Sequence, residues 1–219
     1  RLKDGLWAAY TPADGFLDGG ATGLQQTRSG ALWFTGIHKG RSAVARYDRT
    51  GWRIFIAGEV LIDLVHQQTG YLQRSWPLLE TRDGSIWLMG QHEGKAAVSR
   101  FDGRGWMRYT EADGLTGELV SYGYEATDGT LWFGTWRPGA GKGDGLFRFD
   151  GKRWTRYTEA DGLSSSLVSS MTEWPAGTLW VGTPSGISRL NLSVKAEKRA
   201  WWSKTDFPVA GPGIGNLIP

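Results

Sequence analysis

The chain has 219 residues, with 33 glycines, 13 tryptophans, no cysteine and a formal charge of +3. The lack of cysteine excludes a disulfide scaffold, a thiolate zinc site and a cysteine nucleophile, and no apolar run reaches the ~18 residues of a membrane-crossing helix. Lysine and arginine are scattered with no block of like charge, so nucleic acid is not an expected partner.

In chain order, residues 1–16 read as one outer strand around Trp7, followed by Tyr10-Thr11-Pro12-Ala13-Asp14-Gly15-Phe16. Four units of one plan follow, at 17–57, 58–111, 112–159 and 160–207, and 208–219 read as a tail or the opening of another unit. Each unit predicts four short strands, a to d. Strand a leads into a glycine turn. Strand b carries Gly-x-(Leu/Ile)-Trp, which recurs at Gly30–Trp33, Gly84–Trp87, Gly129–Trp132 and Gly177–Trp180, with tryptophan spacings of 54, 45 and 48. Strand c carries an arginine at Arg46, Arg100, Arg148 and Arg189, and strand d opens on Trp52, Trp106, Trp154 or Trp202. The segments are short, rich in β-branched and aromatic residues, and bounded by Gly, Asp and Ser. Asp83-Gly84, Asp102-Gly103 and Asp128-Gly129 have the chemistry of tight hairpin turns. Only 59–68 hints at a helical turn.

Four-stranded antiparallel units of 45–54 residues with aromatics at fixed places are the pattern of β-propeller blades. A single blade cannot bury both faces of its sheet, so blades stack, with the tryptophans as filler between them. The expected fold is all-β, with about four blades visible in a larger ring. A seven-bladed ring at this period needs roughly 340 residues. A four-bladed ring with redundant ends, or a second copy completing the ring, are the alternatives. The chain opens on Arg1 rather than Met, which reads as a processed or excised segment.

The run Asp161-Gly162-Leu163-Ser164-Ser165-Ser166-Leu167-Val168, then Glu173, then Gly177-Thr178-Leu179-Trp180-Val181-Gly182-Thr183 closely resembles the two-component regulator propeller repeat. The likeness covers nearly the whole chain. It loosens in the first two units, where Trp33-Phe34-Thr35-Gly36 and Trp87-Leu88-Met89-Gly90 depart from Leu-Trp-x-Gly-Thr. The resemblance implies the extracytoplasmic, periplasmic or surface-exposed sensor of a two-component receptor. It also implies a small or oligosaccharide ligand, no cofactor and signalling elements outside this chain.

Irregularity within a repeat points to function. The b–c loop of the third blade is long, Thr135-Trp136-Arg137-Pro138-Gly139-Ala140-Gly141-Lys142-Gly143-Asp144, and offers an aromatic, two cations and an acid. Trp136, Arg137 and Lys142 are candidate ligand contacts, against the alternative of a floppy loop whose tryptophan packs on a neighbouring blade. His38 and His92 each lie five residues after a strand-b tryptophan and join the candidates. Two histidines without a carboxylate pattern make weak metal evidence, so the blander expectation is that each caps its own hairpin. His66 falls in a longer d–a insertion. Glu80, Glu125 and Glu173 share one register, with Gln26 in the first blade. A carboxylate that recurs from blade to blade is expected to accept backbone N–H groups of a neighbouring blade, and the strand-c arginines to partner a turn or a carboxylate. Gly139–Gly143 imitates a phosphate loop without the helix that must follow it. No catalytic or metal-binding constellation emerges. The expected role is non-enzymatic binding at the b–c/d–a loop face. A protein-interaction scaffold is second and a propeller lyase or hydrolase third.

Overall fold

The computed structural model describes residues 2–3, 6–7, 9–56, 78–137, 139–192 and 202–205. It contains a short pair, β1 (Leu2–Lys3) and β2 (Leu6–Trp7), and four antiparallel meanders. Blade 1 is β3 (Ala21–Gln26), β4 (Leu32–His38), β5 (Arg41–Asp48) and β6 (Gly51–Ile56). Blade 2 is β7 (Leu78–Glu80), β8 (Ile86–His92), β9 (Lys95–Phe101) and β10 (Trp106–Tyr109). Blade 3 is β11 (Leu119–Glu125), β12 (Leu131–Trp136), β13 (Leu146–Phe149) and β14 (Trp154–Tyr157). Blade 4 is β15 (Ser170–Glu173), β16 (Thr178–Thr183), β17 (Gly186–Asn191) and β18 (Trp202–Thr205). The described residues hold no α-helix. The expected helical turn at 59–68, His66 and the tail at 208–219 lie outside them.

One expectation changes. Residues 1–16 read as a lone outer strand, but Leu2 pairs with Trp7 and Lys3 with Leu6. This register is that of strands c and d elsewhere, where Tyr47 pairs with Trp52, Phe101 with Trp106 and Phe149 with Trp154. The N-terminal element is therefore a c–d pair, half of a blade. Two residues per strand are too few to show a sequence pattern.

The blades stack face on face, and their cores form between them rather than within them. Trp33 and Val44 of blade 1 pack with Ile86, Leu88 and Phe101 of blade 2. Trp87 and Val98 of blade 2 pack with Leu131, Phe133 and Phe149 of blade 3. Trp132 and Leu146 of blade 3 pack with Met171, Leu179 and Leu190 of blade 4. Trp33, Trp87 and Trp132 are each at most 2% exposed. The period-2 alternation of a strand explains this: in blades 2 and 3 one face of the sheet meets the preceding blade and the other meets the next.

A polar clamp reinforces each junction at the a–b turn. Glu80 accepts the Arg28 N–H of the preceding blade at 3.0 and 3.2 Å, Glu125 accepts that of Arg82 at 2.7 Å, and Glu173 accepts that of Thr127 at 2.6 Å. The Arg28 guanidinium continues to the Thr81 carbonyl, and that of Arg82 to the Thr127 and Ala126 carbonyls. The carboxylate register is thus a blade-joining device, as its recurrence implied.

The strand-c arginines lie directly across from the strand-b tryptophans. In blades 1, 2 and 4 the guanidinium sits over the indole at 5.6–5.9 Å. Arg100 also bonds the turn residue Asp83 at 2.9 Å, and Arg46 bonds Asp48 at 2.8 Å.

Candidate functional site

The loops that close the other end of each blade contact one another. In blades 1 and 2 the b–c connections are two-residue turns, Lys39-Gly40 and Glu93-Gly94, with φ of 51°, 70°, 52° and 74°. Positive φ at both central positions matches the twist of the flanking strands. Three d–a connections are single 3₁₀ turns at Pro12–Asp14, Glu111–Asp113 and Glu159–Asp161. Each is closed by a threonine whose N–H the third-position aspartate accepts at 2.8–2.9 Å, and each ends on a left-handed glycine. The d–a and b–c loops meet where Asp18 accepts the Lys39 N–H at 2.8 Å, Gly117 O the Ala96 N–H at 2.9 Å, and Ser166 O the Gly145 N–H at 3.0 Å.

The b–c loop of blade 3 is bonded within itself and to the d–a connections on either side. Arg137 and Lys142 form an antiparallel bridge, with the Arg137 N–H on the Lys142 carbonyl at 2.7 Å. Gly143 lies so close to the Ser166 and Thr135 carbonyls that a side chain there would collide with backbone. The Arg137 side chain stands between two carboxylates, with Nη2 2.7 Å from Asp144 Oδ1 and Nε 3.1 Å from Glu118 Oε1. The hydrogen bond it donates to Asp144 and the charges of Asp144 and Glu118 hold the guanidinium more firmly protonated than usual. Asp144 is itself only 8% exposed, and Thr135 Oγ1 accepts its N–H at 2.9 Å. Its second oxygen, Oδ2, is buried without a hydrogen-bond partner among the described residues, as is Thr116 Oγ1 one residue before the close-packed Gly117. Trp136 is half-buried at the end of β12, opposite Leu119, and Lys142 is exposed.

The structure thus gathers Trp136, Arg137 and Lys142 on one loop and adds Glu118, which sequence reasoning missed. Glu118 belongs to the d–a connection and nothing in its local sequence marks it. His38 and His92 occupy the b–c ends of blades 1 and 2, away from this loop. His38 Nδ1 lies 3.6 Å from Asp18 of the preceding d–a loop and is buried without a hydrogen-bond partner among the described residues. His92 lies 3.4 Å from Arg108 and 3.8 Å from Glu93. Among the described residues no group of three His, Cys, Asp or Glu side chains is placed to hold a metal.

A cavity of about 860 Å³ lies elsewhere, at the a–b and c–d turns of blade 1, lined by Gln26, Leu32, Arg46, Tyr47 and Asp48 among others. None of the five candidate residues borders it.

No protein-family pattern matches the chain, and no curated protein matches it in sequence. Several solved structures are similar. PorZ, a bacterial surface component of the type-IX secretion system of Porphyromonas gingivalis, aligns with a TM-score of 0.51 at 13% identity, over 78% of this chain and 26% of PorZ. An extracellular domain assigned to a hybrid two-component system of B. thetaiotaomicron aligns with a TM-score of 0.45 at 15% identity, over 78% of this chain and 27% of that one. A Dyadobacter fermentans protein of unknown function aligns with a TM-score of 0.41 at 13% identity, over 81% of this chain and 62% of that one. This chain therefore spans about a quarter of the first two. At such identities the likeness concerns the fold alone; the four stacked four-stranded meanders are themselves those of β-propeller blades.

Proposed function

We propose that these blades belong to an extracytoplasmic, non-enzymatic binding propeller of the sensor or surface type, which takes its ligand at the b–c/d–a loop end beside blade 3. The observation that carries this reading is the Arg137 guanidinium, fixed between Glu118 and Asp144 on the loop that follows the half-buried Trp136. An indole and fixed polar groups carried on one loop suit a sugar ring or another planar, hydroxylated ligand, because stacking supplies contact area and polar groups supply orientation. One cation facing two carboxylates leaves no surplus positive charge, which favours a neutral ligand over a strongly acidic one. The likeness to the two-component regulator repeat supports the sensor reading, and the fold of PorZ, a surface component, supports a place at the cell surface. The non-enzymatic reading is supported by the carboxylate register, because Glu80, Glu125 and Glu173 are committed to backbone N–H groups.

The test is a panel of neutral and acidic oligosaccharides on an array, followed by titration of the hits against the chain and its Trp136→Ala variant. The expected result is binding of neutral members, weakened at least about tenfold, or ~1.4 kcal/mol, by the substitution. Equal affinity of the two proteins removes this loop from the site.

A further inference from the structure

The two carboxylates beside Arg137 stand in different surroundings. Asp144 is the inner one, 8% exposed. Its main chain is pinned on both sides, with the N–H on Thr135 Oγ1 at 2.9 Å and the carbonyl accepting from Arg156 Nε at 2.5 Å. Its carboxylate lies over Gly117, where Oδ2 comes within 2.9 Å of the place that a Cβ would take. Gly117 has a φ of 123°, so glycine suits both the close approach and the backbone there. Glu118 follows directly and stands on the outside of the cluster. Its side chain is 45% exposed, and Oε1 lies 3.1 Å from Arg137 Nε. The guanidinium donates from Nη2 to Asp144 Oδ1 at 2.7 Å, and its side chain is 44% exposed. Arg137 Nη1 and Glu118 Oε2 have no partner among the described residues. The outward side of the cluster is therefore a guanidinium donor in contact with a carboxylate acceptor.

We propose that this loop end selects ligands that carry a free vicinal diol, and that Glu118 is the residue that sets the selectivity. The inference rests on the binding function proposed above and names the ligand chemistry of that site. A carboxylate or phosphate group only accepts hydrogen bonds and is repelled by Glu118. An ammonium group only donates and is repelled by Arg137. Among hydroxylated ligands, two adjacent hydroxyls satisfy both groups at once. One oxygen accepts from Arg137 Nη1 and its neighbour donates to Glu118 Oε2, and both bonds are charge-assisted. A ligand with a single hydroxyl at this place leaves the guanidinium or the carboxylate without its partner, which opposes binding. Asp144 takes no part in the contact, because Oδ2 is sealed from solvent. The two carboxylates thus divide the work, one holding Arg137 from behind and the other facing the ligand.

The probes are the methyl pyranosides of glucose, galactose and mannose and the methyl furanoside of ribose, each paired with its 3-deoxy analogue. Deleting the 3-hydroxyl removes every vicinal pair of free hydroxyls from these rings and adds no bulk. Each pair is titrated by NMR into the chain and into its Glu118→Ala and Trp136→Ala variants. In the parent, a glycoside that binds is expected to lose at least about tenfold in affinity on deletion of the hydroxyl. In Glu118→Ala that ratio is expected to fall below about twofold, and in Trp136→Ala both members of the pair weaken while the ratio stays. The ratio supports the diol in either series, and the series that shows it separates a hexose source from a ribose source. Binding that depends on Trp136 but is equal for glycoside and deoxy analogue overturns the diol and leaves the binding function standing. An unchanged ratio in Glu118→Ala overturns the role of Glu118. A chain that binds no member of either series, and no oligosaccharide on the array, overturns both readings.

Discussion

The two ends of each blade are built on different rules. At the a–b turns the blades are near copies, with the same glycine turn in all four, and each of the three junctions has the same indole between sheets and the same carboxylate on a neighbour's N–H. At the other end the b–c loops diverge, from two-residue turns in blades 1 and 2 to the bridged, acid-clamped loop of blade 3, while three d–a turns keep one cap. The repeated end has to solve the same mechanical problem at every junction, so its chemistry repeats. The other end is held in place by that frame and is free to vary, which is where selectivity toward a ligand can be built.

The contrast between the ends breaks most forcefully through the indoles. Trp87 is 2% exposed and shared by blades 2 and 3, so Trp87→Ala is expected to cost about 3–5 kcal/mol, read as a fall in the midpoint of denaturant unfolding. The clamp comes next. Glu125→Ala orphans the Arg82 N–H and its guanidinium contact, and a loss of about 1–2 kcal/mol is expected. A smaller effect lies in the acid range. Partial burial works against the charge of Asp83, but the Thr81 hydroxyl, the Ser85 N–H and hydroxyl, and the Arg100 guanidinium outweigh it and hold the carboxyl at about 2, below its ordinary 3.8. The folded state therefore binds its proton less readily than the unfolded state. The stabilisation from Asp83 is present above pH 3.8 and disappears as the pH falls toward about 2. Asp83→Asn is expected to flatten that part of the pH–stability curve, and a curve of unchanged slope would count against this turn as a source of acid sensitivity.

The frame was largely legible in the sequence because its devices are local and repeated. Gly-x-(Leu/Ile)-Trp marks strand b, Asp-Gly marks turns, and the recurrence of Glu80, Glu125 and Glu173 identified a junction device before any contact was known. The segment Tyr-Thr-Glu-Ala-Asp-Gly recurs at 109–114 and 157–162, but its 3₁₀ geometry is seen only in the backbone bonds from Asp113 N–H to the Thr110 carbonyl and from Asp161 N–H to the Thr158 carbonyl. The candidate site was legible in part. Trp136, Arg137 and Asp144 lie within one unusual loop, but Glu118 lies before β11 and reaches Arg137 only when the blade closes. The partner of His38, Asp18, is likewise brought in by tertiary folding. The half-blade at β1–β2 escaped notice because Leu2–Lys3 is too short to carry periodicity.

The most direct test of the division between frame and site is to measure two substitutions for both unfolding free energy and oligosaccharide affinity. Glu125→Ala is expected to lower stability while leaving the affinity of the folded protein within about twofold of the parent. Arg137→Ala, whose side chain is 44% exposed, is expected to change stability by less than about 1 kcal/mol and to weaken binding at least about tenfold, or ~1.4 kcal/mol. The reverse pattern, with Glu125→Ala weakening the ligand and Arg137→Ala leaving it unchanged, would contradict the account.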